Sequence, residues 1–353
     1  MLVDVVRKGE IHDVQRLLAA GVSVDHPDMD GTSPLVEAAR QGHIKTVRLL
    51  VENGAYINAI DFQGVSPLNV AAREGHFYTA QFLLNAGADI CTRDKDRATP
   101  LMGAAVGGHC RVARLLLERK VDRDACDVHG RTALFWAAFC GRREVIDLLL
   151  SDGADIEIGR RQGGATPLLA AASVGHWGAV SLLLARGADM RATDCNGNTV
   201  LMMATRAVIR RGDSALVKLL LARGAEVNAA NNHGETALFL AAQAGCRVLT
   251  SMLLDSGADI SRLSPRLRET LSASGVSIEP ETLRMQGAAL IQSSSMPNKA
   301  VSPKRSEDDF LALSTRVVAS SCADADMGCE RNDEAFGVMG SVGRFFRRFT
   351  TKS

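Results

Sequence analysis

The chain has 353 residues, of which 46% are apolar and only 4% aromatic, so its core must be built from alanine, leucine, valine and isoleucine. A formal net charge of +1 provides no overall field to attract nucleic acid, and we expect no nucleic-acid partner. No stretch reaches the roughly 18 apolar residues of a transmembrane helix, and Asp4 breaks the apolar N-terminal run, which argues against a signal peptide.

The eight cysteines are scattered, with no CxxC pair. Several of them stand where other copies of the repeat described below carry small apolar residues. This usage is typical of reduced thiols. It predicts a cytoplasmic protein that is not secreted, with a nuclear location also compatible.

Glycine recurs along most of the chain with a nearly constant period. One copy carries a lysine at the glycine position. With that lysine included, successive spacings are 33, 33, 33, 33, 34, 37 and 33 residues. The aligned positions are Gly21, Gly54, Gly87, Lys120, Gly153, Gly187, Gly224 and Gly257. Self-similarity at such a period predicts a repeat architecture.

A helix-capping residue opens each copy. In the clearest copy Thr166 caps a helix at Pro167, because a threonine oxygen accepts N–H groups of the first turn and proline at the first helical position loses no hydrogen bond. The equivalent caps are Ser33, Ser66, Thr99, Thr132, Thr199 and Thr236. Seven copies therefore keep one register.

A second short helix follows in each copy. Gly175 and Gly187 are expected to end the two helices of the clearest copy in the left-handed conformation. Val180, Leu183 and Leu184 form one apolar stripe on the second helix. Two short helices cannot bury that stripe alone, so neighbouring copies must cover it.

This unit resembles the ankyrin repeat, whose signature is a β-turn and two helices with T-P-L-H-x-A at the first. The resemblance implies a mainly α fold, an ankyrin-repeat α-solenoid of helix–turn–helix units joined by β-turn or hairpin loops, with turn tips and first helices on a concave binding face. We assign residues 1–28 to an N-terminal capping repeat, 29–261 to seven repeats, 262–279 to a degenerate C-terminal cap and 280–353 to a mostly disordered tail.

Three departures from the repeat are informative. Lys120 replaces glycine, so it must adopt a left-handed conformation or redirect the chain, at a cost of about 1 kcal/mol. Four extra residues near 204–211 predict a first helix that is longer by about one turn. Pro265 can begin a last helix with Leu267 and Leu271 facing inward, because a stack must end in a cap with a polar outer side.

The last residues, 335–353, form a basic amphipathic segment. One side of a helical wheel is apolar and the other is cationic, which suits an anionic membrane surface or a partner groove. The residues concerned are Phe345, Phe346, Phe349, Arg344, Arg347 and Arg348. The alternative is a solubilising tail with chance clustering, and interspersed glycines mean that the segment would be helical only when bound.

Candidate partner-binding residues are those that the repeat does not dictate. Three aromatic residues, Phe135, Trp136 and Phe139, lie within five positions of the middle copy in a chain poor in aromatics, and a central aromatic anchor is typical of an interface hot spot. The alternative is that at least Phe135 packs between repeats. The first helices and turn tips add Arg40, Arg73, Met102, Val106 and His129.

No catalytic motif, phosphate-binding loop or metal-ligand spacing rises above background, so we expect no enzyme activity, cofactor, metal site or small-molecule substrate. The family resemblance implies that His43, His76, His109 and His176 are structural. The sequence predicts a protein-binding scaffold or adaptor that recognises another protein on its concave surface. Two alternatives remain: a membrane-tethered scaffold that uses the C-terminal segment, and a substrate adaptor of a ubiquitin ligase.

Overall fold

The computed structural model describes residues 2–161 and 164–273. The first helices of successive units are α1 (Leu2–Lys8), α3 (Pro34–Gln41), α5 (Pro67–Arg73), α7 (Pro100–Gly107), α9 (Ala133–Phe139), α12 (Pro167–Val174), α14 (Val200–Arg211) and α16 (Ala237–Gln243). The second helices are α2 (Ile11–Ala19), α4 (Ile44–Glu52), α6 (Phe77–Asn85), α8 (Cys110–Glu118), α10 (Arg143–Ser151), α13 (Trp177–Ala185), α15 (Ala215–Ala222) and α17 (Arg247–Asp255).

Three shorter or terminal elements complete the regular structure of these ranges. They are α11 (Ile158–Arg161), a 3₁₀ turn at Ile260–Arg262 and α18 (Pro265–Ala273). The described residues form no strand, and Thr193 and Thr199 pair only as an isolated bridge. The prediction of a mainly α repeat fold is confirmed.

The helix starts follow the predicted capping chemistry. Each of the seven capping side chains accepts a hydrogen bond from the backbone N–H three residues on, as Thr166 does from Leu169 at 3.3 Å. Gly175 ends its helix with φ 85°, and Gly187 has φ 91°. Both glycines therefore adopt the left-handed conformation that the sequence predicts.

The helices pack as two rows that are covered only by neighbouring units. Each first helix contacts the first helix of the next unit, from α1 to α16, and the second helices from α2 to α13 do the same. Val180 and Leu183 are fully buried and Leu184 is partly buried between neighbours. Alanine and leucine dominate this core, as the scarcity of aromatic residues requires.

The departures from the repeat have local explanations. Lys120 takes the left-handed conformation, with φ 58°, and does not redirect the chain. Arg97, at a tip position that is glycine in other units, does the same with φ 60°, which the repeat pattern alone does not predict. The insertion lengthens α14 to 12 residues, and the helix ends at Gly212 with φ 84°.

The two ends of the stack carry helices of different exposure. In the N-terminal unit α1 buries Leu2, Val3 and Val6. At the other end α18 lies against α16, with Leu271 buried and Leu267 half-buried. Expectations for residues 280–353, including the C-terminal segment, lie outside the described residues.

Candidate functional site

The turn tips between units are held in one conformation by their own aspartates. Oδ1 of Asp61 accepts the backbone N–H of Gln63 at 2.8 Å and that of Val65 at 2.9 Å. The same arrangement recurs at Asp28, Asp94, Asp127, Asp194 and Asn231. Each tip is thus a preformed element that presents the side chains after its aspartate to solvent.

Neighbouring tips are also joined to one another. The N–H of Lys95 donates to the carbonyl of Gln63 at 2.9 Å, and the N–H of Val128 donates to that of Asp96 at 3.0 Å. The Asn58 side chain accepts the N–H of Asp89 at 2.9 Å. The tips therefore form a linked edge, along which a partner could contact several units.

The first two tips enclose an open groove of ≈ 460 Å³, which we call the N-terminal groove. Ile60 and Phe62 remain 61% and 64% exposed, and Met29 on the adjoining tip is 98% exposed. The lining residues are Asp25, Pro27, Gly31, Ser33, Tyr56, Ala59, Ile60 and Phe62.

The shape of the groove depends on a close approach between the two tips. The Phe62 ring lies over Gly31 so closely that a Cβ there would be 2.5 Å from a ring carbon. Both carboxylate oxygens of Asp25 accept the N–H of Tyr56, at 3.0 and 3.2 Å. These contacts fix the second tip against the first and leave the outer side of Phe62 in solvent.

The central aromatic cluster lies mostly beneath the surface. Trp136 is 0% exposed and Phe135 is 3% exposed. The Trp136 Nε1–H donates to Oδ2 of Asp127 at 3.3 Å, and the guanidinium of Arg131 lies 4.4 Å from the centre of the indole ring. The cluster is part of the packing of the middle unit.

Burial corrects the expectation that these aromatics form an exposed anchor. Met102 and Val106 are buried as well. The side chains of Phe135, Trp136, Met102 and Val106 therefore offer a partner no free surface. The physical reason at Trp136 is Arg131, which pairs with Asp127 at 2.8 Å and covers the indole. Phe139 remains half-buried, stacked on Phe135 with 6.3 Å between ring centres.

The three polar candidates differ in accessibility. The His129 side chain is exposed at a tip, while its backbone N–H donates to Asp127 at 2.8 Å. Arg40 is half-buried and pairs with Glu37 at 3.4 Å. Arg73 is largely covered and pairs with Glu74 at 3.0 Å, and burial lowers the pKa of its guanidinium. His129, Arg40 and Phe139 thus remain within reach of a partner.

A ladder of side-chain donors ties the first helices from α1 to α12 to the units that follow them. His43 bonds the carbonyl of Val6 at 3.1 Å, and His76 bonds that of Arg40 at 2.9 Å. In the middle unit Arg142 occupies the histidine position and donates through Nε to the carbonyl of Val106 at 3.0 Å. These contacts give the recurring histidines a structural role.

The ladder continues through the lengthened helix. His109 and His176 bond the backbones of Arg73 and Phe139. In the unit of α14 the histidine position is occupied by Asp213, and Arg210 from the added turn of that helix donates to the carbonyl of Ser173. Its Nε also donates to the carbonyl of Arg206 at 3.3 Å.

Burial lowers the pKa values of two ladder histidines. Desolvation is the main cause at both His109 and His176, and the nearby positive charge of Arg211 adds to it at His176. Both imidazoles therefore favour the neutral form in the folded protein.

In the described ranges, no group of three or more His, Cys, Asp or Glu side chains is arranged to hold a metal ion. None of the helices within them is both long and apolar enough to cross a membrane.

The fold defines a helical repeat protein whose units each carry two helices and a tip. Models of ankyrin repeats match residues 2–94, 91–160 and 168–264. The chain belongs to the ankyrin repeat family, whose repeats generally serve as protein-interaction modules.

The chain is also similar to the crystal structure of the human ASB11 ankyrin repeat domain. The two share 28% identity with a TM-score of 0.57, over 64% of this chain and 98% of that one. The comparison with curated proteins gave no match. Because 556 chains of solved structures match this scaffold, the fold alone does not identify a ligand.

Proposed function

We propose that the protein is a non-catalytic adaptor that binds another protein along its linked tips and the adjoining first helices, in the cytoplasm. The observation that supports the proposal most strongly is the set of exposed apolar side chains at the first two tips. Met29, Ile60 and Phe62 contribute little to the core, and exposed apolar clusters on repeat scaffolds mark interaction sites. His129, Arg40 and Phe139 extend the proposed surface toward the middle unit.

Recognition would require little rearrangement of the stack. The capped helices, the aspartate-held tips and the ladder fix the backbone before any partner arrives. A preformed surface avoids part of the ordering cost of association. Affinity then depends on a few exposed side chains rather than on the total contact area.

The test uses the full-length chain as bait in a cell extract, followed by purification of a captured protein and calorimetry. A variant with Met29→Ser, Phe62→Ser and His129→Ser should bind that protein about tenfold more weakly or worse. The matched control is Tyr78→Ser, Trp177→Ser and Val248→Ser, which changes exposed side chains on second helices. Loss of binding in the control alone would overturn the proposed surface.

The sequence pattern of residues 335–353 supports a second proposal, a peripheral contact with an anionic membrane. Co-sedimentation with vesicles containing phosphatidylserine would compare the full chain with one that ends at Glu334. Equal sedimentation of the two chains would overturn it.

A further inference from the structure

The N-terminal groove carries an inference about the chemistry of the partner, and this inference rests on the proposed function. Its walls are apolar, and its charged groups have one sign. Asp25 lines it, Asp28 and Asp30 belong to the same tip, and Asp61 directly precedes Phe62. No lysine or arginine lines it.

Some of this negative charge is offset within the fold. Arg7 approaches Asp28 at 3.5 Å, and Arg40 approaches Asp61 at 3.9 Å. Asp25 and Asp30 have no ion pair within the described part of the chain, and Asp30 is exposed. The rim of the groove therefore keeps a net negative charge next to an apolar wall.

We propose that the N-terminal groove binds a segment of a separate protein in which an apolar side chain is flanked by lysine or arginine. The apolar side chain would pack on the exposed sides of Ile60 and Phe62, where burial removes both partners from water. The flanking cations would lie near Asp25 and Asp30. An acidic peptide or an anionic membrane is disfavoured, because like charges in apposition reduce affinity.

The probe is a short fluorescent peptide in which phenylalanine alternates with arginine, titrated with the full-length protein and followed by anisotropy. The double variant Ile60→Ser/Phe62→Ser should weaken binding about tenfold or more. The control is Tyr78→Ser/Val248→Ser, because these side chains are 66% and 62% exposed and match Phe62 and Ile60. It should bind like the parent, and melting curves check that all variants fold.

Charge is tested separately from apolar contact. Asp25→Asn/Asp30→Asn should weaken binding about threefold to tenfold at low salt and less at high salt, since exposed charges are screened. Asparagine at position 25 keeps an oxygen that can accept the Tyr56 N–H. A peptide with glutamate in place of arginine should not bind.

Several outcomes would overturn the inference. These are equal binding of the arginine and glutamate peptides, no binding of the arginine peptide, and no effect of Ile60→Ser/Phe62→Ser. Much tighter peptide binding by a chain that ends at Glu334 would identify the protein's own C-terminal residues as the occupant, and would overturn the assignment to a separate partner. A captured protein that needs the tips but shows no charge dependence would leave the proposed function standing while this inference fails.

Discussion

The buried carboxylate of Asp127 accepts hydrogen bonds from four N–H groups. It accepts the backbone N–H groups of His129 and Arg131, the Nε–H of Arg131 and the indole N–H of Trp136. The equivalent Asp61 accepts the two backbone donors of its tip, with Arg40 only at 3.9 Å. The extra partners of Asp127 explain why the middle unit can bury an arginine.

Asp127→Ala should therefore destabilise the protein far more than Asp61→Ala. Removing one member of a buried ion pair leaves an uncompensated charge, which costs about 3–5 kcal/mol. Loss of the tip hydrogen bonds alone should cost about 1–2 kcal/mol. Urea denaturation followed by circular dichroism measures both, and equal shifts of the two midpoints would contradict a special role for the Arg131–Trp136 pair.

The burial of Trp136 could not be predicted from the sequence, although the clustering of aromatics could be seen. Helical period predicts which face residue 136 occupies. It does not predict that Arg131 folds over that face, because this depends on one rotamer and one carboxylate contact. The sequence also does not predict that Ile60 and Tyr56 are exposed, because apolar residues at or near a tip follow no repeat pattern.

The ladder histidines predict a pH dependence of stability. Because the pKa values of His109 and His176 are lowered in the folded state, their contribution to stability is complete above the unfolded pKa of about 6.5 and is lost as pH falls below it toward the folded values. The melting temperature should decrease between about pH 7.5 and pH 5.5, a window set by that reference value.

His109→Gln/His176→Gln should reduce this decrease, because glutamine keeps an N–H donor but does not titrate. His12→Gln is the matched control, since His12 is exposed on α2. An unchanged pH profile in the double variant would contradict the assignment to the ladder.

At the scale of elements, α14 shows how an insertion is accommodated. One additional turn keeps the buried stripe in phase, with Ala207 and Val208 buried, while Arg210 and Arg211 reach solvent at the end of the helix. The sequence predicts the added turn. It does not predict that Arg210 replaces a missing ladder donor, because that contact joins residues 37 positions apart.

Arg210→Ala should destabilise the stack by about 1 kcal/mol, because the carbonyls of Ser173 and Arg206 lose a charged donor at a site that water can still reach. Arg211→Ala is the control on the same turn and should have a smaller effect. Thermal denaturation of both variants is the measurement. A larger loss for Arg211→Ala would contradict the ladder role of Arg210.

At the scale of the whole molecule, repetition decides what the sequence reveals. Seven copies of one capping and packing pattern predict the helices and their order, because each copy must satisfy the same contacts with its neighbours. Binding residues lie at positions that the repeat leaves free, and burial there is set by individual contacts. The fold was therefore predictable, whereas the accessible part of the candidate site required coordinates.

Because each unit packs only on its neighbours, we expect a destabilising substitution in one unit to affect mainly the adjacent units. Leu271 is buried where α18 lies against α16, so Leu271→Asp should accelerate hydrogen exchange in α16 and α17. Exchange in α7 and α8 should not change, because α18 packs against α16, several units away from them. Glu269→Ala, at an exposed position of α18, serves as the control. Leu134→Ala, at a fully buried position of α9, should instead accelerate exchange in the units on both sides. Uniform acceleration of hydrogen exchange along all helices after Leu271→Asp would show that the chain opens as one cooperative unit. It would contradict a stack whose units are stabilised mainly by their nearest neighbours.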